Sequence, residues 1–313
     1  MSNRGWTLPP KLYSGISFLA VPVSAVPYLF ISYRFYFPSM RRALLAFVLV
    51  LSLVTAGCNA FTSSEPNPAP KTTTELSGQL VPGLSASGFT DREKLTAAHD
   101  EILREDSYTA RYRVTERASN GSVLGYFRTR YRSGTNRDHF TYHTVQNGTL
   151  LDVNSSKYVA SVWSNGSLSL LAQTVDETTN YRRIGNTAAR EGRTTNRDRL
   201  YVLTSVLNVT RIERTNDSGT PMYRVVANDL VHPSLLTNFD TVHNASLVAV
   251  IDTWGVVHHY RFEVSGTNDG KAVYRTETFD VSDVGATEIR RPPWYAAAMN
   301  ATSRRGNSTA RSS

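Results

Sequence analysis

Residues 107–132 read Ser107-Tyr-Thr-Ala-Arg-Tyr-Arg-Val-Thr-Glu-Arg-Ala-Ser-Asn-Gly-Ser-Val-Leu-Gly-Tyr-Phe-Arg-Thr-Arg-Tyr-Arg132. Tyr108, Ala110, Tyr112 and Val114 alternate with Thr109, Arg111, Arg113 and Thr115. A period of two puts an apolar row on one face of a strand and a wet row on the other. Asn120-Gly121 supplies the positive φ angles of a type I′ hairpin. Beyond it Val123, Phe127 and Tyr131 face one way and Arg128, Arg130 and Arg132 the other. Asn147-Gly148 and Asn165-Gly166 punctuate further β-rich runs, and 266–270 reads as one more turn. Turns this closely spaced imply an antiparallel meander, not βαβ units. Strands are expected at 107–118, 122–132, 137–146, 149–153, 157–164, 167–174, 209–215, 221–228, 244–252, 255–265 and 271–281. About eleven strands are too many for one flat sheet, so the sheet should curl.

Helical spacing appears in three places. Thr90-Asp91-Arg92-Glu93 forms a capping box ahead of Leu95, Ala98 and Ile102, predicting a helix over 91–104. Leu200, Leu203, Val206 and Leu207 recur at helical spacing within 197–207, and Pro233 opens a short helix to Phe239. Helices inserted among antiparallel strands usually cover one face of the sheet. The fold class is therefore α+β, mainly β: a strongly curved antiparallel half-barrel with a few helices over its concave face.

The N-terminal part has a different composition. Met40-Arg-Arg, an uncharged apolar run from Ala43 to Ala56, and Gly57-Cys58 follow the order of a secretory signal. The run is shorter than the roughly 20 residues of a spanning helix. It resembles a prokaryotic lipoprotein signal, with Thr55-Ala56-Gly57-Cys58 as the lipobox, and that resemblance implies a lipid anchor on Cys58 facing the exterior. Residues 58–80 form a linker carrying Pro66, Pro68 and Pro70, a composition that stays extended and solvated. Residues 1–39 read either as an over-extended start, with Met40 the initiator, or as an extra membrane segment. The globular domain is expected over 81–295, followed by a basic disordered tail over 296–313.

Charge and motifs exclude much. Lys and Arg number 34 against 26 acids, a net +8, but Arg4, Lys11, Arg34, Arg41 and Arg42 precede Cys58, where no acid lies. The remaining excess is small, so a nucleic-acid partner is not expected. One cysteine excludes an internal disulfide framework and a thiolate metal cluster. No Gly-X-Ser-X-Gly elbow, His-Glu-X-X-His or Walker loop occurs. His258 and His259 are adjacent on a strand and point apart, and His139 and His143 stand about 13 Å apart on one face. No metal, cofactor or enzymatic activity is expected, and Asp252-Thr-Trp-Gly255 reads as a hairpin turn with Gly255 in the αL conformation. Nine of the 19 asparagines, Asn120, Asn147, Asn154, Asn165, Asn208, Asn216, Asn244, Asn300 and Asn307, lie in Asn-X-Ser/Thr sequons. They are candidate N-glycosylation sites, or in some cases turn residues; either role puts them at the surface.

The order of linker, Leu80-Val-Pro-Gly-Leu84, capped helix, Tyr108-rich first strand, Asn-Gly hairpins, Val250-Ile-Asp-Thr-Trp-Gly-Val256 and Arg291-Pro-Pro-Trp294 resembles a family of haloarchaeal membrane lipoproteins of unknown function. Their architecture is similar to the LolA/LppX-like lipoprotein carriers, half-barrels that shelter acyl chains between sheet and helices. The resemblance implies a monomeric, membrane-anchored binder or carrier of a lipid or other hydrophobic molecule. Its groove would be lined by Tyr108, Tyr112, Val123, Phe127 and Tyr131 with Leu200, Leu203, Val206 and Leu207; the same side chains also suit an ordinary core. Arg128, Arg130 and Arg132, with Arg111 and Arg113 across the hairpin, form either a solvated face or a contact for anionic lipid headgroups or acidic glycans. A cell-envelope structural or interaction protein with a filled core is the competing expectation.

Overall fold

The structure, a computed structural model, describes residues 76–135, 138–150, 157–185, 195–217 and 219–309, with side chains of the last helix as far as Ser303. Residues 1–75, with Cys58 and the expected signal, and Asn154 lie outside the described residues. Short strands β1 (Gln79–Val81), β2 (Leu84–Ser85) and β3 (Gly88–Phe89) lead into α1 (Arg92–Glu105). There follow β4 (Tyr108–Ala118), β5 (Val123–Ser133), β6 (His139–Gly148), β7 (Lys157–Asn165), β8 (Ser169–Val175) and β9 (Thr178–Ile184). Helix α2 (Arg197–Val206) precedes β10 (Leu207–Asp217), β11 (Thr220–Leu230), β12 (Thr241–Asp252), β13 (Val257–Asn268) and β14 (Lys271–Ser282), and α3 (Tyr295–Thr309) closes the chain.

Eleven strands form one open antiparallel sheet in the order β10-β11-β12-β13-β14-β4-β5-β6-β7-β8-β9, a curved half-barrel as expected. The first and last strands of the sheet, β4 and β14, lie side by side in its middle, paired from Thr109↔Ser282 to Ala118↔Val273. The connection from β9 to β10 therefore passes from one edge to the other, and it carries α2 over the concave face, where Asn196 donates to the Tyr260 hydroxyl at 2.6 Å.

Several local expectations change. Helix α1 is capped by Asp91, whose Oδ1 accepts the Lys94 amide at 2.9 Å, and not by Thr90; Thr90 instead donates its amide to the Gly83 carbonyl. Glu93 is drawn away to Arg197, so the reciprocal half of the capping box does not form. Asn120-Gly121 and Asn165-Gly166 do mark turns, but only their glycines have positive φ (82° and 86°), which is a longer loop closed by one αL residue. Two-residue turns with both φ positive occur at Asp269-Gly270, between the paired Asn268 and Lys271, and at Asp176-Glu177, between the paired Val175 and Thr178. Asn147-Gly148 stays within β6, opposite Tyr126 and Gly125, and the described start of the run expected at 149–153 is a turn. The strand count is kept by β9, which the sequence reading missed. Pro233–Leu235 is a single 3₁₀ turn. The tail expected to be disordered over 296–313 is helical as far as Thr309: Ala298 is buried, and Tyr295 sets its ring edge-on against Trp163 with centroids 5.1 Å apart. Trp163 and Leu170 belong to the convex face of β7 and β8, so α3 covers that side of the sheet.

The main core lies on the concave side. Leu95 and Leu103 of α1 and Leu200, Leu203 and Val206 of α2 pack with Leu247, Ala249, Tyr260, Phe262 and Phe279 of the sheet. At about 25 cal/mol per Å² of apolar surface removed from water, such side chains stabilise by about 1.5–3 kcal/mol each.

Candidate functional site

On the concave face the helices and the sheet enclose space. A cavity of about 10 Å³ lies between α1, α2 and the sheet, lined by Phe89, Leu95, Thr96, Leu200, Thr204, Leu247, Ala249, Ile251 and Val257. That is the room of one water molecule, roughly 10–15 Å³, and the apolar lining gives a water no partners. Of the lining, sequence reasoning named Leu200. The alternation of Leu247, Ala249 and Ile251 along an expected strand was the signal for three more.

The expected groove residues divide. Tyr108 and Tyr131 are buried on the concave face with ring centroids 5.7 Å apart, and Tyr131 reaches Phe140 at 5.9 Å. Phe127 is half-buried and meets Tyr112 edge-on at 5.8 Å. Leu203, Val206 and Leu207 are fully buried core residues. Val123 is elsewhere, with 50% of its surface exposed. Glu116 pairs with Gly125 but Arg117 with Val123, so Leu124 is the extra residue of a bulge. A bulge shifts the alternation by one, which turns Val123 to the convex side beside Arg117.

Beneath the helices runs a polar network that the sequence did not reveal. Glu277 accepts from Arg199 Nη2 at 2.5 Å, Arg199 Nε at 2.8 Å and the Tyr112 hydroxyl at 2.9 Å. Burial raises a carboxyl pKa, but the Arg199 guanidinium outweighs it and holds Glu277 below the usual carboxylate range. Burial and the Glu277 charge push the Tyr112 hydroxyl far up, so it stays a donor. One row along, Arg275 Nε donates to Glu116 at 3.0 Å and lies over the Phe239 ring, while Thr149 donates to the other Glu116 oxygen at 2.6 Å. These pairs bridge 78, 165, 159 and 33 residues of chain, beyond the reach of any local pattern. Tyr112, expected as an apolar groove residue, uses its polar end here. The Tyr158 hydroxyl, also on the concave face, is buried with no hydrogen-bond partner among the described residues.

His99 joins α1 to the sheet. Its Nδ1 accepts the Val257 amide at 3.1 Å, so the ring proton sits on Nε2 and is donated to the Thr195 carbonyl at 2.6 Å. Burial lowers its pKa to about 4, which keeps the ring neutral. Asp252 takes the Trp254, Gly255 and Val256 amides on Oδ1 and His258 on Oδ2, the hairpin-turn role expected of it, with Gly255 at φ 102°. His259 pairs separately with Asp280 at 2.8 Å. Among the described residues no three His, Cys, Asp or Glu side chains gather as a metal site.

On the convex face Arg128 and Arg130 are exposed and Arg132 half-exposed. Asn120, Asn208, Asn216, Asn244 and Asn300 are exposed, Asn147 and Asn165 partly so, and Asn307 lies on α3. Asn120 and Asn165 also fold their own turns, each accepting from the serine two residues on.

No family model and no curated protein matches the chain. Similar solved structures include LprF from Mycobacterium bovis, 11% identical over 66% of this chain and 99% of that one, with a TM-score of 0.35. They include the lipoprotein LppX from Mycobacterium tuberculosis, 9% identical over 64% and 98%, TM-score 0.32. A DUF1329 family protein from Desulfovibrio piger is 11% identical over 65% and 95%, TM-score 0.23. At these TM-scores the likeness assigns no residue role and no ligand to this chain.

Proposed function

We propose that this chain is a membrane-anchored extracytoplasmic lipoprotein, tethered through Cys58, whose half-barrel binds or carries a lipid or other hydrophobic molecule. The observation that supports it most is the placement of α1 and α2. They lay Leu95, Leu200 and Leu203 on the apolar concave face of a sheet that stays open, and the cavity at their contact marks where the two layers part. A guest of several hundred Å³ requires α2 to lift from the sheet, and burial of its tail would contribute about 0.8 kcal/mol per methylene. Polar groups on the concave side, the Arg199–Glu277 pair and the Tyr158 hydroxyl, stand where a headgroup would be oriented.

The small size of the cavity favours a second reading, a cell-envelope interaction protein with a filled interior. Native mass spectrometry of the full chain after gentle detergent extraction separates the two. Copurifying lipid that leaves on mild activation supports carriage. A chain that is empty in every preparation, including after incubation with membrane lipid extract, overturns it in favour of the second.

A further inference from the structure

The convex face of β4 and β5 is built against its own electrostatics. Arg111 stands directly opposite Arg130 and Arg113 directly opposite Arg128, with Arg132 one row further along opposite Thr109. Like charges directly across two strands disfavour their pairing. Elsewhere the same sheet sets carboxylates among its arginines, at Arg224–Glu213 and Arg261–Glu263. None of these five guanidiniums has a carboxylate within ion-pair distance among the described residues. Arg111 reaches only the Ser282 hydroxyl, at 3.4 Å, and Arg128 lies over the Tyr126 ring. Two acids border the stripe without an ion-pair contact to it: Asp280, opposite Arg111, is engaged by His259, and Asp283 acts on Arg130 from further off. Desolvation and the neighbouring Arg132 and Arg111 charges lower the proton affinity of Arg130, and the opposing pull of Asp283 does not offset them. On the other flank the rows continue into His143 and Val145, which bring no negative charge.

We propose that this arginine stripe is a docking surface for anionic phospholipid headgroups, seating the convex side of β4 and β5 on the bilayer. Guanidinium pairs bidentately with phosphate, and rows about 7 Å apart along the strands and about 5 Å apart across them offer several such pairs on one face. The proposal rests on the tethered reading above for its encounter with lipid. The roughly 20 residues from Cys58 to β1 span at most about 70 Å when extended, enough to bring any face of the domain to the bilayer. Trp254, at 66% exposure, projects from the β12–β13 turn at the same end of the sheet, because His259 pairs with Asp280, Asp280 with Arg111, and Arg111 with Arg130. Tryptophan favours the headgroup level of a bilayer.

The test is cosedimentation of the full chain with phosphatidylcholine vesicles, with and without phosphatidylglycerol. The apolar N-terminal segments give a baseline on neutral vesicles. The stripe should add a gain of about tenfold or more on anionic vesicles at low salt, fading as salt screens it. Replacing Arg111, Arg113, Arg128, Arg130 and Arg132 with Gln should abolish the gain and leave the baseline. A control with the same charge change, Gln for Arg183, Arg211, Arg214, Arg261 and Arg290, should keep most of it. Persistence of the gain in the stripe variant, equal loss in both variants, or no gain in the wild type overturns the proposal. The stripe variant should melt no lower than the wild type; if it fails to fold, Arg128→Gln with Arg130→Gln is read the same way. Bound lipid seen by native mass spectrometry without an anionic gain sinks the stripe alone, and a gain in an empty chain sinks carriage alone.

Discussion

Glu277 carries a charge with almost no water around it, and its stabilisation depends on Arg199. Its folded pKa is depressed, so this contribution is present above the unfolded value of about 4.5 and is lost as pH falls through and below that value. Glu277→Gln strands the Arg199 charge and should cost about 3 kcal/mol in urea unfolding at pH 7, while flattening the acid dependence below about pH 4.5. Arg199→Met with Glu277→Leu, which removes both charges, should recover most of that loss. His99 acts in a separate window. The unfolded imidazole takes up a proton near pH 6.5 that the native one refuses until about pH 4. Stability should therefore fall by about 3 kcal/mol from pH 7.5 to pH 4 on this account alone. His99→Gln, whose amide can both donate to Thr195 and accept from Val257, should remove that slope between pH 6.5 and 4.5, as read by denaturant midpoints.

Elements were legible where the signal was local. The alternation at 108–114 and the helical spacing of Leu200 and Leu203 each name a face from residues a few positions apart, and both faces are where they were expected. Strand β9 escaped because Thr178-Thr-Asn-Tyr-Arg-Arg-Ile184 lies at the sheet edge with mostly exposed side chains and needs no apolar row. Its hairpin escaped too, since Asp176 and Glu177 take positive φ (44° and 72°) without a glycine. Glu177→Gly should relieve that conformation, against a higher unfolded-state entropy, and raise stability by about 0.5 kcal/mol, seen as a higher urea midpoint. The Leu124 bulge that turns Val123 outward is set by pairing with β4, which no alternation along β5 alone can report. For the same reason the groove could be named only in part: nothing local to Glu116, Arg275 or Glu277 marks them as buried until the sheet and α2 place their partners beside them.

Both faces of the half-barrel carry cover. Helix α3 shields Trp163 and Leu170 on the convex side, and Tyr181 stacks on Trp294 just before it. Ala298→Asp should lift the helix, since Ala298 has no exposed surface, and lower stability by about 2–3 kcal/mol with greater aggregation on heating, followed by light scattering. The central pairing of β4 with β14 has a further consequence. Strands β4 to β9 and β10 to β14 are two meanders, each zipped by neighbours in sequence, and the crossover that bears α2 links their outer edges. The long-range seam between them joins residues some 170 positions apart, so it should close last as the chain folds. Once closed, it would act as a backbone-to-backbone clasp of ten residue pairs. A protein cut between Gly185 and Thr195 should then persist as two fragments that copurify and part together only on denaturation.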